Sequence, residues 1–123
     1  MTRVEQAIQN HKNHYPCSVA VLSAFAEIAG ISSQDALIVA RPMAGGRMGK
    51  CGAVLAGEYV LEKIYGERAK EKIQELEHEF IERNQSVVCR ELKGIGTGKV
   101  LRTCRGCVTD ASEILEKICN ESK

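Results

Sequence analysis

Six cysteines stand in a chain of 123 residues, and four of them sit where a thiol would ionise readily. Cys17 follows Pro16 at the head of an apolar run, Cys51 follows a glycine-rich stretch, and Cys104 follows Thr103 at the head of the last periodic segment. Each of these places reads as a helix start, where unpaired backbone N–H groups and roughly half a positive charge favour thiolate over thiol. Basic side chains flank three of the positions: Lys50 beside Cys51, Arg90 beside Cys89, and Arg102 and Arg105 around Cys104. A lowered thiol pKa is the common requirement of nucleophiles, redox thiols and metal ligands. Cys17, Cys51, Cys89 and Cys104 are therefore candidates for that chemistry. The competing reading is that small polar residues simply collect at helix starts.

Cys104-Arg105-Gly106-Cys107 is a C-x-x-C at a helix start. Its spacing brings two sulfurs within reach of each other, which suits a dithiol–disulfide couple or two ligands on one metal. Cys51, Cys104 and Cys107 are thus the candidate redox thiols. Cys107 also shares a helical face with Ala111 and Ile114, so a core position is equally open to it. A zinc ribbon requires a second such pair, and the chain has none. Cys119, near the C-terminus, reads as a structural or incidental thiol.

Other motifs take plainer readings. Gly94-Ile95-Gly96-Thr97-Gly98-Lys99 resembles a phosphate loop but lacks the P-loop spacing and a preceding strand, so it reads as a connector. His11, His14 and His78 lie on polar segments and read as solvated. Met43 and Met48 flank the glycine loop as gap fillers.

Composition narrows the function classes. A hydrophobic fraction of 44% with 27% charged residues is that of a globular protein, and the length suits one helical domain over residues 1–123. Lys and Arg number 17 against 16 Asp and Glu, so the net charge of +1 lacks the basic excess that nucleic acid or an anionic membrane calls for. With no Trp and two Phe, stacking on bases is poorly supplied. The N-terminus lacks the apolar run of a signal peptide. The apolar stretch Val19 to Ala29 is interrupted by Ser23 and Glu27 and is too short to span a bilayer. These features predict a cytoplasmic protein with neither nucleic acid nor membrane as partner. In a reducing compartment structural disulfides are disfavoured, so clustered cysteines point to metal ligation or redox chemistry.

The elements that must position these residues are helical throughout. Gly and Pro cut the chain into helical lengths, and no run alternates as a strand would. Thr2 to Asn13 is a polar helix opened by a Thr2/Glu5 capping box. Pro16 is placed as the first residue of the next helix, which runs from about Cys17 to Ala29, ends at Gly30 and is apolar nearly all round. Ser32 or Ser33 caps a short helix reaching about Ala40, stopped by Pro42. The mobile loop Ala44 to Lys50 leads to a second apolar helix, Cys51 to Tyr65. Glu67 to about Gln85 is amphipathic, with Ala69, Ile73, Leu76 and Phe80 on one stripe. Ser86 to Leu92 is ambiguous between a helical turn and an extended piece. The last helix starts near Thr103 or Cys104 and carries Cys107, Ala111, Ile114 and Ile118 on one face. The expected fold is an all-α, irregular bundle of about four main helices plus short ones.

The order of cysteines and helices resembles a family of small prokaryotic redox-active proteins named for a C_GCAxxG_C_C cysteine signature. The matching blocks are Tyr15-Pro16-Cys17-Ser18-Val19-Ala20-Val21-Leu22, Gly45 to Val54 around Cys51-Gly52-Ala53, Cys89-Arg90-Glu91-Leu92, and Cys104 with the Val108 to Leu115 segment. The chain departs from the pattern at Ala56, where the signature glycine falls one place later at Gly57, and at Cys107, which replaces an expected aromatic residue. The resemblance implies a helical fold and a redox or iron–sulfur role, with a redox partner protein that it does not specify.

Three functions follow. In the first, Cys17, Cys51, Cys89 and Cys104 ligate an iron–sulfur cluster, four thiolates being the usual set. Gly49, Lys50 and Gly52 then approach the cofactor, the glycines by close backbone and the lysine by charge. Zinc on the same four thiolates is an alternative. In the second, no metal is bound, and Cys51 or Cys104 attacks a disulfide or peroxide while a neighbour such as Cys107 resolves it. In the third, the chain is a non-catalytic helical interaction module with cysteines as core filler. Four widely separated cysteines favour the cluster over the dithiol. A homodimer is compatible with a helical protein of this size.

Overall fold

The computed structural model describes residues 1–46 and 48–121, so Arg47 of the glycine loop and residues 122–123 lie outside the described residues. Among the described residues seven α-helices follow one another: α1 (Arg3–Lys12), α2 (Cys17–Ala29), α3 (Ser33–Ala40), α4 (Gly52–Tyr65), α5 (Ala69–Asn84), α6 (Cys89–Leu92) and α7 (Cys104–Glu121). Short 3-10 turns, Arg41–Gly46 and Gly66–Arg68, precede α4 and α5. The all-α expectation holds. Among the described residues no helix is long and apolar enough to cross a membrane.

Local sequence explains most boundaries. Thr2 Oγ1 accepts from the Glu5 amide at 3.0 Å, and Glu5 Oε1 accepts from the Thr2 amide at 2.9 Å, completing the capping box on α1. Pro16 is the N-cap of α2 rather than its first residue, with extended backbone at ψ 156. Gly30 closes α2 in the left-handed conformation at φ 73. Ser32 Oγ caps α3, and Thr103 Oγ1 accepts from the Gly106 amide at 3.0 Å at the head of α7.

Helix α2 lies at the centre, packed on α1, α3, α4 and α7. Its Val19, Val21, Leu22 and Phe25 are fully buried, as the all-round apolar pattern requires. From α5, Leu76 and Phe80 enter the core, whereas Ile73 is only partly covered. From α7, Cys107, Ala111, Ile114 and Ile118 form the buried face. Two side chains on polar atoms tie α2 to its neighbours: Ser18 Oγ donates to the Ala40 carbonyl at 2.7 Å, and Asn10 Nδ2 to the Ala20 carbonyl at 3.2 Å.

The ambiguous stretch 86–92 is both extended and helical. Lys50 and Val88 form an isolated antiparallel bridge. The Cys51 amide donates to the Val87 carbonyl at 2.7 Å and the Cys89 amide to the Gly49 carbonyl at 3.1 Å. The single turn α6 then begins at Cys89. This backbone stitch fixes the glycine loop against the third cysteine.

A candidate five-cysteine centre

Helix starts deliver the thiols. Cys17 is the first residue of α2, Cys51 the N-cap of α4, Cys89 the first residue of α6, and Cys104 and Cys107 occupy the first turn of α7. All five line one cavity, closed by Leu92, Lys93 and Arg102. Each is a thiol outside any disulfide. Cys51, Cys89 and Cys107 are buried, and Cys17 and Cys104 half-buried. Cys119 packs, partly buried, against the core and does not line this cavity.

Glycine shapes two walls. A Cβ on Gly52 would stand 2.7 Å from Cys17 Sγ and 2.9 Å from the Met43 carbonyl oxygen, so this backbone approaches the sulfur as only glycine allows. At Gly46 a Cβ would meet Cys89 Sγ at 3.1 Å. Of the residues expected to approach a cofactor, Gly52 thus touches the cavity wall. Gly49 contributes its carbonyl to Cys89, and the side chain of Lys50 turns away.

The thiols are electrostatically unequal. Cys107 hydrogen-bonds Cys51, and this contact does most to bring the Cys51 thiol down to about 7, with the Val54 and Ala53 amides assisting against the effect of burial. The same bond, with burial, holds the Cys107 proton firmly in place. Cys17 is pushed up to about 11 by burial first and then by the charges of Cys51 and Cys104; amides of Gly45 and Ser18 offset only part of this. Burial also raises Cys89, against the opposing charge of Lys93. Helix-start amides therefore only assist the Cys107 contact in lowering Cys51, and at Cys17 and Cys89 desolvation outweighs the groups that favour the thiolate.

Most of the flanking cations do not serve the sulfurs. Lys50 Nζ pairs with Glu58 Oε2 at 3.1 Å and with Glu77. Arg105 Nε donates to His11 Nδ1 at 3.3 Å, so His11 is engaged rather than simply solvated. Arg102 lines the cavity, but its Nε is 3.0 Å from Asp110 Oδ2. The cation that the thiols feel is Lys93, whose pKa is raised by Cys104 first and then Cys89. Sequence reasoning missed it because it looked one residue from each cysteine; the helical spacing of Cys89 and Lys93, four apart, was the available signal.

The donor chemistry suits a soft metal centre, since four or five sulfurs face one cavity. The spacing as it stands does not. Among the described residues no group of three or more His, Cys, Asp or Glu side chains is placed to hold a metal ion. The inner cavity offers about 10 Å³, room for one water-sized sphere.

A helical fold that draws cysteines from four separate helix starts to one cavity defines a thiol-centred protein. The chain belongs to the C_GCAxxG_C_C family, described as "Putative redox-active protein", whose family model matches residues 15–118. No curated protein and no solved structure matches the chain.

Proposed function

We propose that this chain is a thiol–disulfide redox protein in which Cys51 and Cys107 form the couple. The meeting of buried Cys51 and Cys107 on one small cavity carries the reading, and the side-chain contact that lowers the Cys51 thiol supports it. A substrate disulfide takes up the two electrons and two protons of the couple and leaves as two thiols while the two protein sulfurs join; a dithiol returns both electrons and protons and is itself oxidised to a disulfide. The burial of Cys51 and Cys107 protects the couple from non-specific oxidants.

The test is to oxidise the protein with excess disulfide, digest it without reduction and map the linked peptides. A Cys51–Cys107 linkage that dithiothreitol reverses is the expected result. A linkage of Cys104 to Cys107, or none, would overturn it. Cys51→Ser should abolish the couple while leaving helix content by circular dichroism nearly intact.

A second reading is favoured by one observation: the four signature cysteines converge from four elements on a single cavity. Cys17, Cys51, Cys89 and Cys104 would then hold an iron–sulfur cluster, which supplies one-electron transfer, with zinc as the redox-silent alternative. Their side chains must swing outward to make the space. Iron, zinc and acid-labile sulfide, measured on protein purified without oxygen, separate this reading from the first.

A further inference from the structure

Beside the inner cavity lies a larger hollow that the Cys51–Cys107 couple leaves unused. A groove of about 350 Å³ runs between the glycine loop and the α6 segment, large enough for a small molecule where the inner cavity holds only a water. Cys89 and Lys93 line both spaces, so Cys89 stands at the junction. On the loop side the described lining residues are Gly45, Gly46 and Gly49. The other side presents Arg90 and Lys93. Among the described residues no carboxylate lines the groove and neither cation is in an ion pair, in contrast to Lys50 and Arg102. Two cations unpaired with any carboxylate among the described residues, one of them (Lys93) also facing the Cys89 and Cys104 thiols, suit an anion that also carries sulfur.

We infer that this groove is the entry site for a small disulfide bearing carboxylate groups, held by Arg90 and Lys93 and attacked by Cys89. The Cys89 thiol first gives its proton to solvent. A bond then forms between Cys89 Sγ and one substrate sulfur, the substrate S–S bond breaks, and the departing half leaves as a thiolate that takes up a proton. The thiolate of Cys51 next attacks Cys89 Sγ and releases the second half as a thiol. Cys107 finally gives up its proton and bonds to Cys51 Sγ, the Cys51–Cys89 disulfide breaks, and Cys89 leaves as a thiolate that takes up a proton. Two protein thiols and one disulfide thus become one protein disulfide and two small thiols. The relay beyond Cys89 rests on the redox couple proposed above; the binding of a carboxylate-bearing molecule does not.

The experiment compares oxidation of the reduced protein by glutathione disulfide, which is anionic, and by 2-hydroxyethyl disulfide, which is neutral. Removing Lys93 changes the reactivity of Cys89 toward both oxidants, so the ratio of the two rates isolates recognition. In Arg90→Gln and in Lys93→Gln the preference for glutathione disulfide should fall by about tenfold, and raised salt should erode it in the parent protein. A ratio unchanged in both variants would overturn the inference. S-methylglutathione, which carries the carboxylates but cannot exchange, separates the two readings in a binding titration followed by NMR. Binding that weakens in the same variants, without oxidation by either disulfide, retains the groove and removes the Cys51–Cys107 couple. No binding of S-methylglutathione to the parent protein removes the groove.

Discussion

The sulfur of Cys51 receives a thiol hydrogen bond from Cys107 and support from the amides of Val54 and Ala53, with Lys93 contributing through space. Because the Cys107 contact is the largest of these, Cys107→Ala should move the Cys51 thiol from about 7 back toward its ordinary value of 9.0. The sign follows from which form the bond favours: it stabilises the thiolate, so its loss raises the pKa. At pH 7 the alkylation of Cys51 by iodoacetamide, read by mass spectrometry on metal-free protein, should slow about tenfold. An unchanged rate would assign the effect to the helix amides instead. The identity of the candidate thiols was legible in the sequence because helix starts are marked locally by Pro16, the glycine loop and Thr103. Their ranking was not, since desolvation at Cys17 and the Cys51–Cys107 contact arise only when α2, α4 and α7 meet.

Helix α4 is tied at both its head and its outer face, and each tie yields an expectation. At the head, Gly52→Ala puts a Cβ 2.9 Å from the Met43 carbonyl oxygen and 2.7 Å from Cys17 Sγ. Backbone cannot yield cheaply there, so urea unfolding should show a loss of about 1–3 kcal/mol; a neutral result would mean that the 3-10 turn before α4 relaxes. On the outer face, Lys50 bridges Glu58 of α4 and Glu77 of α5. Burial, then the hydrogen bond with Glu77, lifts the Glu58 carboxyl to about 8, while the same hydrogen bond holds Glu77 below its usual value. For Glu58 the protonated form is the stabilised one, so its contribution is complete below 4.5 and fades as pH rises through about 8. Glu77 has the opposite sign and weakens the fold only in acid. The thermal midpoint should therefore fall as pH rises from about 5 to about 8 and level off above that, and Glu58→Gln, which keeps a donor with no proton to lose, should lessen that fall. Thiols titrate in both proteins, so an identical fall in the two would place the loss outside this trio. None of this was visible in the charge pattern, where Lys50 looked like a neighbour of Cys51. The capping box on α1, Gly30 and the stripe on α5 were legible because each is written within one turn of chain. The segment 86–92 was not, because its partner, Lys50, comes from a distant loop.

At the scale of the whole molecule, the fold brings Cys51 at the start of α4 into contact with Cys107 in the first turn of α7, with α5 and α6 between them in the chain. A disulfide between them would close a long loop. In the chain-entropy account, a cross-link of that span restricts the unfolded ensemble and stabilises the fold by roughly 2–4 kcal/mol, provided the native geometry accepts the bond without strain. The native contact meets that proviso better than an arbitrary pair would, since the sulfurs already share a hydrogen bond. The oxidised protein should accordingly unfold at higher urea than the reduced protein, and the difference should vanish in Cys107→Ser. A disulfide within Cys104-Arg105-Gly106-Cys107 closes only a tight local loop and adds much less, so the size of the shift distinguishes the two linkages independently of peptide mapping. An oxidised protein less stable than the reduced one would show that the bond distorts the α4–α7 contact. The couple would then store strain, and the disulfide would be the more readily reduced for it.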